Sequence, residues 1–141
     1  YRQNPPESPV APLLQPVKYL RNAAAHNNAM LNNMMPRQGF LPNRVLSERL
    51  AAMKVVGKGS RKKKLHIPVI HDLTAAMIVF DQVVRSEGVR ESTFREWWEF
   101  LDRCRIHSEY FCANELLLSN YDFLCKIVDS FDGDGYNINK K

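Results

Sequence analysis

Thr93-Phe94-Arg95-Glu96-Trp97-Trp98-Glu99-Phe100-Leu101-Asp102-Arg103-Cys104 is the stretch on which the fold reading turns. Phe94, Trp97, Trp98, Leu101 and Cys104 recur at intervals of three and four, the period of an α-helical face rather than the alternation of a strand. Glu96, Glu99 and Asp102 read as the solvated side of the same helix, not as an acid/base pair. Thr93 and Glu96 stand at capping-box spacing, so the helix is predicted to begin at Thr93. Neighbours on a helix diverge by about 100°, so one of Trp97 and Trp98 is expected in the core and the other near a rim or an interface.

The segments on either side have the same period. Leu73, Met77, Phe80, Val83 and Val84 predict a helix from Asp72, as N-cap, to about Ser86, with Gly88 as its stop. Asn114 is expected to cap a further helix bearing Leu116, Leu117, Leu118, Phe123, Leu124, Ile127 and Val128. Nearer the N-terminus, Val45, Leu46, Leu50 and Met53 predict a helix over 44–55, capped by Asn43 and followed by Gly57. Over 17–35, Ala and Met favour helix while Asn27, Asn28, Asn32 and Asn33 weaken it, which predicts a partly formed one. Five of the eight prolines fall within the first sixteen residues, so extended chain is expected there.

The predicted fold is mainly α. A small domain of three to four helices over 66–141 follows an extended, partly helical basic arm and linker over 1–65. A domain of about 75 residues buries only about 60% of its unfolded surface and leans on partners for stability.

Charge divides at the same place. Residues 1–65 hold twelve Lys and Arg against two acids, a net +10, whereas residues 66–141 hold eight against thirteen, a net −5. Both tryptophans and six of the seven phenylalanines lie in the acidic part. A basic, aromatic-poor arm before an acidic, aromatic-rich domain suggests that one part holds a polyanion and the other folds and docks. In Gly57-Lys58-Gly59-Ser60-Arg61-Lys62-Lys63-Lys64, read as a flexible linker, four consecutive cations can meet several phosphates. Lys54, Lys58, Arg61, Lys62, Lys63, Lys64, Arg44 and Arg49 are the expected nucleic-acid contacts, and Arg2, Lys18, Arg21 and Arg37 extend the basic surface. So few aromatics accompany them that backbone contact without sequence preference is expected, not base stacking. A short Lys/Arg run also resembles a nuclear-import address. Trp97 and Trp98 are the candidate partner-binding residues.

Gly57-Lys58 does not complete a nucleotide-binding loop, because the position five before Gly57 is Ala52 and a helix pattern precedes it. Cys104, His107, Cys112 and Cys125 could offer four zinc ligands, but the spacing matches no standard finger and buried free thiols are the commoner case. His66 and His71 bracket a short apolar segment and are expected to be solvated or satisfied in the core. Phe131-Asp132-Gly133-Asp134-Gly135-Tyr136-Asn137-Ile138 resembles the start of an EF-hand calcium loop, with Asp132 and Asp134 as the carboxylates. If Asp132 is the first ligand, Tyr136 and Asn137 occupy the fifth and turn positions. If Gly135 is the turn, the last ligand falls on Lys141, and neither register gives a full cage.

No metal site or cofactor is therefore assigned, and no nucleophile–base–orienter set marks an enzyme. Three cysteines exclude a fully paired disulfide framework, so a reducing intracellular compartment is expected, an organelle or a virion included. No apolar run is long enough to span a bilayer, and no membrane role is expected. Opening on Tyr1, the chain reads as processed, excised from a precursor, or incomplete. The expected function is a non-enzymatic structural component of a larger assembly, a ribonucleoprotein subunit or a viral structural protein. Its arm would hold RNA or another acidic surface and its helical domain neighbouring protein subunits. The alternatives are a degenerate EF-hand-like interaction module of cytoskeletal kind and a helical DNA-binding domain. The latter is disfavoured by the acidic or neutral charge of the later helices.

Overall fold

The structure, a computed structural model, describes residues 10–27, 29, 31 and 33–131. Within them the chain is mainly helical and has no strand. A 3-10 turn at Ala11–Leu13 leads into α1 (Leu14–Ala25), followed by α2 (Arg44–Met53), α3 (Lys58–Lys64), α4 (Pro68–Val83) and α5 (Glu87–Ile106). A second 3-10 turn, Ser108–Tyr110, connects α5 to α6 (Glu115–Phe131).

Helix α4 is the centre. Its buried residues are Ile70, His71, Leu73, Thr74, Ala75, Met77, Ile78 and Val79, which is more than one face. A helix apolar on most sides belongs inside a bundle, and α1 and α6 both pack on α4 while α5 packs on α6. The single-face reading of this helix therefore falls short: Val83 is exposed while Ile70, Ala75 and Ile78 are buried. Thr74 is satisfied in this apolar setting by donating its hydroxyl to the Ile70 carbonyl at 2.7 Å.

Two predicted helix starts hold and two move. The Asn43 side chain accepts from the backbone N–H groups of Val45 and Leu46, capping α2. Asn114 accepts likewise from Leu117 at 3.1 Å, capping α6. Helix α4 begins at Pro68, four residues before Asp72, because proline presets the helical φ and needs no N–H partner at a first turn. Asp72 instead accepts a hydrogen bond from His71 Nδ1 at 2.8 Å. Helix α5 begins after Ser86, whose hydroxyl accepts from Val89 N–H, so Thr93 lies in the helix interior and its capping-box spacing is unused. Gly88, read as a stop, falls in the first turn of α5.

The N-terminal third differs most from the expectation. Residues 10–16 are not extended: they form the 3-10 turn and the start of α1, with Leu13 and Pro16 buried. Residues 1–9 lie outside the described part. The stretch read as a linker is helix α3, with Gly57 as N-cap. Lys and Arg are good helix formers, and the cations at its C-terminal end interact favourably with the helix dipole. Contacts of α3 with α2 and α6 complete its support. Val10, Leu13, Leu46, Leu50, Val56 and Leu65 enter the same core as Ile70, Met77, Phe94, Trp98, Leu101, Phe123 and Ile127. Asn43 ties the parts further, donating from Nδ2 to the Pro12 carbonyl at 2.8 Å and from its backbone N–H to His71 Nε2 at 3.0 Å.

Candidate polyanion-binding groove

Cations gather where three pieces of chain meet. The turn over 36–39, helix α3 and the first turns of α6 border a groove of about 1190 Å³ lined by Arg37, Lys62, Lys63, Lys64, His66 and Ser119 among others, with no Asp or Glu in its lining among the described residues. The turn is fixed locally: Phe40 N–H donates to the Arg37 carbonyl at 3.1 Å, and Gly39 between them has φ 78°. A side chain there would be strained, so glycine is required. The Arg37 N–H donates to the His66 carbonyl at 3.1 Å, joining the turn to the exit of α3. The Phe40 ring packs beneath, edge-on to His71 with centroids 5.1 Å apart, and carries the Arg37 guanidinium 5.3 Å from its own centroid.

Lys64 forms the floor. It is 7% exposed, and its ammonium donates to Ser119 Oγ and, at 2.6 Å, to Asn120 Oδ1. Asn120, with no exposed surface, passes the chain on by donating from Nδ2 to the Met34 carbonyl at 3.0 Å. Burial and the neighbouring Lys63 charge hold Lys64 below the ordinary lysine value, opposed by the Asp122 carboxylate. Among the described residues no carboxylate lies within ion-pair distance of Lys64, Lys62, Lys63 or Arg37. At the rim, His66 Nδ1 donates to the Lys62 carbonyl at 2.7 Å.

Of the cations expected to meet a polyanion, Lys62, Lys63 and Lys64 line the groove, and Lys58 and Arg61 share their helix. Lys64 is no surface cation, because its ammonium is held inside by neutral oxygens. Arg44, Arg49 and Lys54 belong to α2 and its C-cap and do not line the groove; Arg44 pairs with Glu48 at 2.7 Å. Sequence reasoning counted Arg37 without placing it, and missed Ser119 and Asn120. The glycine turn beside Arg37 was the available signal, but its approach to α3 is non-local.

The remaining candidates separate. Trp98 is buried, and its indole N–H has no acceptor among the described residues. Trp97 is half-buried and lines an apolar trough of about 330 Å³ with Leu31, Val69, Leu73 and Phe100. One tryptophan in the core and one at a rim is the expected division, and it removes Trp98 from any partner surface. Cys104, Cys112 and Cys125 are free thiols. Burial pushes Cys104 and Cys125 up from the ordinary thiol value. Cys112 and His107 are exposed, His107 stacking on Tyr110 at 5.7 Å. No three His, Cys, Asp or Glu side chains gather to hold a metal among the described residues, so the zinc alternative has no assembled site there. Asp132 and Asp134, the calcium alternative, lie outside the described residues. No helix among the described residues is long and apolar enough to cross a membrane. Comparison with protein-family models, with curated proteins and with solved structures finds no match for this chain.

Proposed function

We propose that this chain is a non-enzymatic structural component of a larger assembly, holding RNA or another polyanion in the groove between α3, the 36–39 turn and α6. The observation that carries this reading is a concave lining that, among the described residues, has four Lys and Arg and no Asp or Glu. Phosphates entering such a groove displace condensed counterions, an entropic gain that needs no base contact. A concave site of this kind suits a single strand more than the convex cylinder of a duplex. Neighbouring proteins dock through the apolar trough beside Trp97, and the free thiols fit a reducing compartment.

Binding of labelled single- and double-stranded RNA across a salt series tests the reading. The wild type is compared with a variant carrying Lys58→Ala, Arg61→Ala, Lys62→Ala and Lys63→Ala, which leaves the buried Lys64 in place. A log–log salt slope of about −3 or steeper, reduced by about 2–3 in the variant, is expected. Absence of binding at low salt overturns the RNA reading.

A further inference from the structure

The floor of the groove has a property that its cationic rim does not explain. Lys64 is more than nine-tenths buried, yet among the described residues its ammonium bonds to neutral acceptors alone, Ser119 Oγ and Asn120 Oδ1. A desolvated charge with neutral partners alone is a poor arrangement, and buried charges are ordinarily paired. The two neighbouring side chains of α6 are partly engaged elsewhere. Ser119 donates its own proton to the Leu116 carbonyl at 3.1 Å, and Asn120 Nδ2 is bonded to Met34. An ammonium has three donors, so among the described residues one N–H of Lys64 remains beyond the two bonds it makes. Lys64 and Ser119 line the groove together, and Arg37, Lys62 and Lys63 line it with them.

We propose that this floor is a discrete seat for one phosphate group, with Lys64 as its fixed cation and Lys62, Lys63 and Arg37 closing over it from the rim. The inference rests on the polyanion reading of the groove and narrows it to a single anchoring position. A phosphate suits the seat because it supplies several strong acceptor oxygens to several donors at once, and lysine binds it as a point charge. The seat also lies on the junction of α3 with α6, since Lys64 closes the one and Ser119 and Asn120 belong to the other. Filling it neutralises the buried charge and so stabilises that junction. Inorganic phosphate and the phosphodiester of a single strand share this chemistry.

The test titrates the ¹⁵N-labelled full chain with inorganic phosphate and, separately, with a short oligouridylate, following the amides of Ser119 and Asn120. In parallel, oligouridylate affinity is measured for Lys64→Met, Lys62→Met and Lys63→Met. The seat predicts saturable shifts of the Ser119 and Asn120 amides with both probes. It also predicts an affinity loss of roughly tenfold or more in Lys64→Met, against a few-fold loss for each rim variant. If the oligonucleotide binds with a steep salt slope while phosphate leaves Ser119 and Asn120 unmoved, the seat is overturned and the groove stands. Equal losses for the three variants have the same meaning. Saturable phosphate shifts without oligonucleotide binding uphold the seat for a small phosphate compound and overturn the polyanion reading. Silence with both probes overturns both. The wild-type titration decides the matter even where Lys64→Met fails to fold.

Discussion

Asn120 has no exposed surface and stands between the Lys64 ammonium, which donates to its Oδ1 at 2.6 Å, and the Met34 carbonyl, which accepts from its Nδ2 at 3.0 Å. Truncation leaves a buried cation and a carbonyl short of partners, so Asn120→Ala is expected to lower the unfolding free energy by about 2–4 kcal/mol. Urea denaturation measures it, and a near-zero change would mean that Lys64 swings into water instead. Lys64 also makes stability depend on pH. Burial holds it below the lysine value of 10.5 that the unfolded chain retains. Below the lowered value both states carry the proton and the full desolvation penalty applies. Between the two values the folded chain has released a proton that the unfolded chain keeps, so stability rises with pH there. Lys64→Met lacks this term. The wild type should therefore gain on the variant as pH climbs from neutral towards about 10.5, in urea melts run in parallel. Burial moves Cys104, Cys125 and Tyr121 up, which lowers stability at alkaline pH, but they are common to both proteins and drop out of the difference. A difference that stays flat with pH would show the ammonium to be solvated. None of this was readable from four cations in a row, because which of them faces α6 depends on a contact more than fifty positions along the chain.

At the scale of the element, α3 has only seven residues, and one of them is Gly59. Isolated helices of that length do not persist in water, so α3 exists because α2 and α6 support it. A Cβ built at Gly59 meets nothing within 4 Å. Gly59→Ala should then raise stability by about 0.5–1 kcal/mol, through reduced backbone entropy in the unfolded state. Loss of stability would mean that 58–64 is not helical in solution. Helix α5 offers a second check. Ser86→Ala should cost about 0.5–1 kcal/mol by removing the cap, while Thr93→Ala in the helix interior should cost less. The caps of α2 and α6 were legible because Asn43 and Asn114 each directly precede the first helical residue. The start of α5 was not legible, since Thr93 and Glu96 mimic a capping box in mid-helix and Gly88 mimics a terminator. Local spacing could not rank Ser86 above Thr93. The basic run misled for a related reason: glycines and charge read as linker, and the packing that makes it a helix comes from elements distant in sequence.

The whole molecule turns on whether position 65 is a boundary. Composition and charge both change there, which is why the sequence suggests an arm and a domain. The core runs across it. Leu13, Leu46 and Leu50 are fully buried and Leu65 is 1% exposed, all in one cluster with residues of α4, α5 and α6. Burying each such side chain is worth roughly 1.5–3 kcal/mol, so the four supply at least about 6 kcal/mol. A domain of some 75 residues keeps only about 3–5 kcal/mol of net stability once conformational entropy is counted, so little margin remains to absorb the loss of that burial. The part after 65 is therefore expected to depend on the part before it, which also brings the Asn43 bonds to Pro12 and His71. A fragment spanning 66–141 is expected to lack a cooperative urea transition and near-ultraviolet circular dichroism from Trp97 and Trp98, whereas the full chain unfolds in one transition seen alike by both probes. Independent folding of the fragment would restore the arm-and-domain picture. The groove would then join two separable units, and its affinity would depend on how they dock. A single transition would make the cations of α3 and the oxygens of α6 parts of one cooperative body, so that a phosphate bound at the proposed Lys64 seat would stabilise the chain as a whole.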